Sequence, residues 1–210
     1  MKLNELWENP PKLHRALHNP GDDAINWGFT QHLLEWIDQN VEPGMRTLET
    51  GMGISTIVFA MRQAIHTSID PTPEVPPRLK EYCKQIGVSL EEVTLVNKES
   101  EFELAKMAEG RAEAVEQFDL MVLDGSHTFP SPFLDWFYMS LMLKEGGLIM
   151  IDDAWKLPVC RFLMDWMLRI PEFEGIERIG RAHVFRKIAP VTHPDRFHED
   201  RPFEVHFKGE

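Results

Sequence analysis

The sequence predicts a doubly wound α/β domain, a mostly parallel sheet covered by helices on both faces and closed by an antiparallel hairpin. Three observations predict it. From Arg46 onward, short apolar runs alternate with segments of helical period. Two of those runs, FDLMVL (118–123) and LIMI (148–151), are apolar almost throughout, as strands buried on both faces of a parallel sheet are. Glu49, Asp70, Asp124, Asp152 and Asp153 stand at or next to the ends of strand-like runs, where the cleft of such a sheet opens. A chain of 210 residues suffices for one domain of this kind with a core of its own.

Residues 1–23 read as a short helix and a loop broken by Pro10, Pro11, Pro20 and Gly21. A helix is expected from Ala24 to Asn40. Asp22 or Asp23 would cap it, Ile25, Phe29, Leu33, Trp36 and Ile37 would face inward, and Pro43-Gly44 would end it. Trp27 reads as core. The stretch Arg46 to Phe59, RTLETGMGISTIVF, reads as strand, tight turn and helix. Gly51 and Gly53 allow close approach of backbone to a ligand. The helix opening at Ser55 and Thr56 offers unpaired N–H donors and positive dipole character. Such a turn suits a nucleotide-like cofactor, although glycines also serve packing alone.

IHTSI (65–69) reads as the second strand and ends in Asp70. That places a carboxylate about twenty residues beyond the turn, the spacing at which one meets ribose hydroxyls. A helix over Leu79–Ile86 and a third strand over Val93–Val96 follow, then a helix through Ala108. Ser100 either contacts an adenine edge or caps that helix. The fourth strand, Phe118–Leu123, runs into Asp124-Gly125-Ser126-His127; Asp119 reads as a strand-edge charge. A helix over Pro132–Leu143 is broken by Glu145-Gly146-Gly147, and the fifth strand, Leu148–Ile151, ends in Asp152-Asp153. After a helix over Pro158–Arg169, the span 173–188 reads as two strands around Gly180-Arg181. The domain then runs from 24 to 188, between an N-terminal cap (1–23) and a polar tail (189–210).

Composition narrows the function. A formal net charge of −12 disfavours a nucleic-acid backbone as partner but admits a cationic cofactor or a metal ion. Cys83 and Cys160 alone give neither a disulfide framework nor zinc spacing, so a reducing, cytoplasmic setting is expected. No signal peptide and no apolar run of membrane-spanning length is seen. His193, His198 and His206 in the tail read as solvated. Neighbouring parallel strands lie about 4.8 Å apart. If the fourth and fifth are neighbours, Asp124, Asp152 and Asp153 crowd together and at least one carboxyl has its pKa raised. A hard divalent cation would relieve that repulsion and activate an acceptor hydroxyl. His127 suits a base near neutral pH. Trp155 either packs or walls an acceptor site.

At LETGMGIST, Asp70, FDLMVLDGSH, LKEGGLIMIDD and the closing hairpin, the chain resembles the class I S-adenosylmethionine (SAM)-dependent methyltransferases over about residues 24–188. Their fold is Rossmann-like, a seven-stranded, mainly parallel sheet with a terminal antiparallel hairpin. DGSH followed by a DD pair is similar to the metal-dependent macrocin and mycinamicin type of sugar O-methyltransferase, of methyltransferase domain family 24. It is more distantly similar to the catechol and caffeoyl-CoA enzymes.

The resemblance implies SAM held by Glu49, Gly51, Gly53, Ser55, Thr56, Asp70, Ser100 and Asp124. It implies a divalent cation, Mg2+, on Asp124, Asp152 and Asp153, with His127 and Asp124 catalytic. It implies a small hydroxylated acceptor, with no nucleic acid or membrane as partner, and leaves a homodimer open. The chain departs from the catechol group in lacking a lysine near His127 and in carrying Asp-Asp for Asp-Asn; it is also shorter than the macrolide sugar enzymes. A methyltransferase without metal, a non-catalytic cofactor-binding protein and a nicotinamide dehydrogenase are the alternatives. Thr56 stands where the dehydrogenase pattern has its third glycine.

Overall fold

The structure is a computed structural model that describes residues 3–14, 29–109 and 117–191. Asp22, Asp23, Trp27 and the three tail histidines lie outside the described residues. The sheet has seven strands in the order β3-β2-β1-β4-β5-β7-β6. β1 (Arg46–Thr50), β2 (Ile65–Ile69), β3 (Val93–Val96), β4 (Phe118–Leu123) and β5 (Leu143–Ile151) run parallel. β7 (Ala182–Lys187) lies antiparallel between β5 and β6 (Phe173–Ile179). The chain winds outward through β2 and β3, then returns to the centre, so β4 pairs with β1 from Thr47↔Leu120 to Thr50↔Leu123. That reversal is the switch point at which doubly wound sheets open a cleft.

The predicted two-sided burial is observed. Along β4, Leu120 and Val122 join a core with Ile37, Val58 and Leu79 on one face. Met121 and Leu123 join a second core with Leu104, Met139 and Leu163 on the other. α1 (Leu3–Glu8), α2 (Gln31–Asn40), α3 (Ile54–Met61) and α4 (Val75–Ile86) supply the first layer. α5 (Ser100–Ala108), α6 (Ser131–Met142) and α7 (Pro158–Met167) supply the second. Truncating one of these buried side chains to alanine costs about 2–5 kcal/mol.

Four expectations need correction. α2 begins at Gln31 rather than Ala24, because Thr30 is extended (φ −68°, ψ 157°). Phe29, expected on that helix, precedes it, buried against the cleft. α4 begins at Val75, ahead of Leu79, with prolines in its first turn, where a missing N–H removes no helical bond. β5 begins at Leu143 and carries the glycine pair within it; its register slips between Phe118↔Leu143 and Leu120↔Leu148. Finally, Asp119 is more than an edge charge. Its carboxylate accepts the Arg46 N–H at 2.8 Å and the Lys144 ammonium at 2.7 Å, tying β1 to the start of β5.

Candidate active site

The turn after β1 is built from the inside out. Gly51 has φ +86°, and a Cβ there would stand 2.2 Å from the Asp124 carbonyl oxygen, so only glycine fits. Its N–H donates to Ile69 O at 2.8 Å. The Gly53 N–H donates to Thr56 Oγ1 at 3.0 Å, and Thr56 in turn donates a short bond to Glu49. Ser68 also donates to Glu49, at 2.8 Å, and His66 Nε2 lies 3.2 Å from it. His66 is fixed by Thr47 at 2.7 Å and by stacking on Phe59. Glu49 and Thr56 are thus fully buried parts of the turn's foundation and do not reach the cleft wall.

Asp70 shares that work while staying on the wall. It accepts the Met52 N–H at 3.2 Å and the Thr72 N–H at 2.7 Å. The cleft encloses about 830 Å³ at the carboxyl ends of β1, β2, β4 and β5. That lies within the range of small-molecule and cofactor sites. Gly51, Gly53, Ser55, Asp70, Ser100, Asp124, His127 and Asp153 all line it. Asp152 is wholly buried behind them.

Beyond the end of β4, His127 Nε2 lies 3.7 Å from Asp124 Oδ1 and 3.9 Å from Asp153 Oδ2. That nitrogen is buried without a hydrogen bond. Burial lowers the His127 pKa, against the pull of Asp153 and Asp152, so the ring is neutral near pH 7 and able to accept a proton. Burial, and then the charge of Asp152, raises the Asp124 carboxyl well above the ordinary carboxylate range. At this acidic corner at least one carboxyl does move up, as the sequence implied.

Sequence reasoning missed several contributors to the cleft, among them four from outside the strand-end motifs. His14 reaches it from the N-terminal segment, with Nε2 3.1 Å from Met52 O. Phe29 comes from just ahead of α2, and Lys156 from the loop after β5. Arg181, read only as a hairpin turn residue, forks onto Asp152 through Nε at 3.1 Å and Nη2 at 2.8 Å, and its Nε lies 3.0 Å from Asp153 Oδ1. The hairpin pattern was the one available signal, since it turns at the cleft end of the sheet.

Trp155 is packed between two guanidinium groups, Arg161 at 4.4 Å and Arg178 at 4.3 Å from its ring centroid, and lies off the cleft wall. Cys160, beside the acidic corner, is pushed up to about 12, chiefly by burial, so its thiol stays protonated. For a divalent cation the donor set fits poorly. The oxygens of Asp152 and Asp153 already face Arg181, and Lys156 Nζ lies 3.7 Å from Asp153 Oδ2. Among the described residues no group of three or more His, Cys, Asp or Glu is gathered to hold a metal ion.

A seven-stranded sheet with this order, a glycine turn after β1 and an antiparallel closing hairpin define the fold of the SAM-dependent methyltransferases. Residues 48–154, half of the chain, match the model of the methyltransferase-domain family, and the chain belongs to that family. No curated protein matches it.

Solved structures share the fold at low identity. One is a candidate caffeoyl-CoA O-methyltransferase from Staphylococcus aureus, with TM-score 0.62 and 14% identity over 89% of this chain and 92% of that one. A candidate methyltransferase from Streptococcus mutans in complex with SAH aligns with TM-score 0.54 and 13% identity over 74% and 96%. TrmN from Thermus thermophilus aligns with TM-score 0.54 and 13% identity over 74% of this chain, which spans 47% of the TrmN chain. Among the described residues no helix is long and apolar enough to cross a membrane.

Proposed function

We propose that the chain transfers the SAM methyl group to a hydroxyl oxygen of a small molecule, with His127 as general base. The observation that carries this reading is the buried, unbonded His127 Nε2 on the wall of the cleft that the glycine turn also lines. Gly51, Gly53 and Ser55 suit the methionine and ribose portions of the cofactor. Asp70 suits the ribose hydroxyls, Ser100 the adenine edge, and Asp124 the sulfonium side of the cleft.

The wall carries Asp70, Glu99, Glu101, Asp124 and Asp153. Lys156 and Arg181 stand against them, and the remaining acidity favours a cationic sulfonium over a pyrophosphate. In the reaction the acceptor O–H proton passes to His127 Nε2. The oxygen attacks the methyl carbon in line, the carbon–sulfur bond breaks, and its electron pair stays on sulfur, leaving S-adenosylhomocysteine. No step is assigned to a cation. With a net charge of −12 the chain favours a small acceptor over a nucleic acid.

Calorimetry with S-adenosylhomocysteine and with NAD tests the cofactor; binding of NAD alone would sink the proposal. His127→Ala keeps the affinity for S-adenosylhomocysteine while turnover falls by about 10²–10⁴, the scale of general-base catalysis. Unchanged turnover removes His127 from the reaction.

A further inference from the structure

The acidic corner of the cleft already holds cationic side chains of its own. Asp152 is wholly buried, and both of its oxygens face the Arg181 fork, at 3.1 and 2.8 Å. The same guanidinium lies 3.0 Å from Asp153 Oδ1, and Lys156 lies 3.7 Å from Asp153 Oδ2. A divalent cation takes oxygen lone pairs at about 2.0–2.6 Å. Here both Asp152 oxygens accept from a guanidinium, which does not lose its proton in a protein. A bound cation would also stand within a few ångströms of that fixed positive charge, in a partly buried site where repulsion is weakly screened.

The placement of Arg181 is built into the backbone. It occupies the tip between β6 and β7, beside Gly180 at φ +59°. Its carbonyl accepts the Trp155 N–H at 2.9 Å, which ties the tip to the loop after β5. The antiparallel pairing of Ile151 with His183 brings that tip to the carboxyl end of β5.

We infer that Arg181 stands where a divalent cation would otherwise sit, so that the chain binds SAM and performs its chemistry without a dissociable metal. Arg181 is a positioning residue. Its fork fixes Asp152, its charge stands 3.0 Å from Asp153 Oδ1, and Asp153 Oδ2 lies 3.9 Å from His127 Nε2. Metal displacement holds whatever the acceptor is; only the consequence for catalysis rests on the methyl-transfer reading.

Mn2+ titration of the full chain, followed by electron paramagnetic resonance and calorimetry, tests the inference. Wild type and Arg181→Lys are expected to bind no stoichiometric Mn2+, and wild-type turnover is expected to survive EDTA. Arg181→Ala frees the carboxylate pair and should bind one Mn2+ per chain roughly 10–100-fold more tightly than wild type, the scale on which groups packed against ligands alter metal affinity. Arg181→Gln serves the same comparison if the alanine variant does not fold. Stoichiometric Mn2+ binding by wild type overturns the inference, as does a folded Arg181→Ala or Arg181→Gln with no gain. S-adenosylhomocysteine binding measured on the same samples separates the two readings. A chain that binds that ligand and also Mn2+ refutes the displacement alone. A chain that binds neither refutes the function while leaving the displacement standing.

Discussion

Single residues set the tolerances of the cleft. Gly44 and Gly51 both adopt positive φ, +83° and +86°, but only Gly51 has a neighbour in the way, the Asp124 carbonyl oxygen at 2.2 Å from an added Cβ. Gly44→Ala should cost only the conformational strain of about 1–2 kcal/mol. Gly51→Ala should cost clearly more and should also weaken S-adenosylhomocysteine binding. Equal losses in urea unfolding would show that the contact between the β1 and β4 ends is not tight. Asp135 is a second case. It is fully buried on α6, close to Gly125, and burial raises its carboxyl to about 6, with the Ser100 and Thr50 hydroxyls only partly offsetting this. Between the ordinary 3.8 and about 6 the folded chain holds a proton that the unfolded chain releases, so stability falls as pH rises through that window. Above it the penalty is about 3 kcal/mol. Asp135→Asn is therefore expected to raise the melting temperature at pH 8 and leave it unchanged at pH 3. A pH-independent effect would assign the change to packing.

At the scale of elements, the strand–turn–helix unit of β1 and α3 owes its shape to one buried relay, Gly53 N–H to Thr56 to Glu49. Thr56→Val keeps the volume and removes both bonds, stranding the Gly53 N–H and leaving Glu49 Oε1 to Ser68 and His66 alone. A loss of about 1–3 kcal/mol is expected. Cofactor affinity should fall with it, because the same bonds hold the turn. Full affinity in calorimetry would mean the turn keeps its shape without the relay. This unit also shows what a sequence can disclose about a site. The turn, Asp70 and the DGSH and DD runs were legible because each is a local pattern at the end of one strand. The depth of Glu49 and Thr56 was not, since burial depends on β2 supplying Ser68 and His66. Arg181 was hidden for a stronger reason. Its partners lie 29 and 28 residues earlier, and only the register of β5 on β7 brings them together. The carboxylate repulsion was legible, but not that a guanidinium from the hairpin would pair with Asp152 and stand beside Asp153.

For the molecule as a whole, the order of elements was legible because apolar period and glycine or proline punctuation are written residue by residue. The doubly wound form followed from right-handed crossovers, and the strand order itself is what the pairing of β4 with β1 and of β5 with β7 adds. The slip that lengthens β5 and the late start of α2 were not legible, because both are decided by contacts between distant segments. The same long-range assembly makes the cleft a property of the folded state alone. Its walls come from the ends of β1, β2, β4 and β5, from the N-terminal segment at His14 and from the hairpin at Arg181. The unfolded chain therefore has no comparable site, and ligand binding must stabilise the fold by mass action. At a ligand concentration of 100 times Kd the gain is about 2.7 kcal/mol. For a chain of this length each kcal/mol moves the melting temperature by about 2–4 °C, so S-adenosylhomocysteine should raise it by roughly 5–10 °C. NAD at the same concentration should leave it unmoved, and Gly51→Ala should show a diminished shift. A rise with NAD and none with S-adenosylhomocysteine would reverse the assignment of the glycine turn.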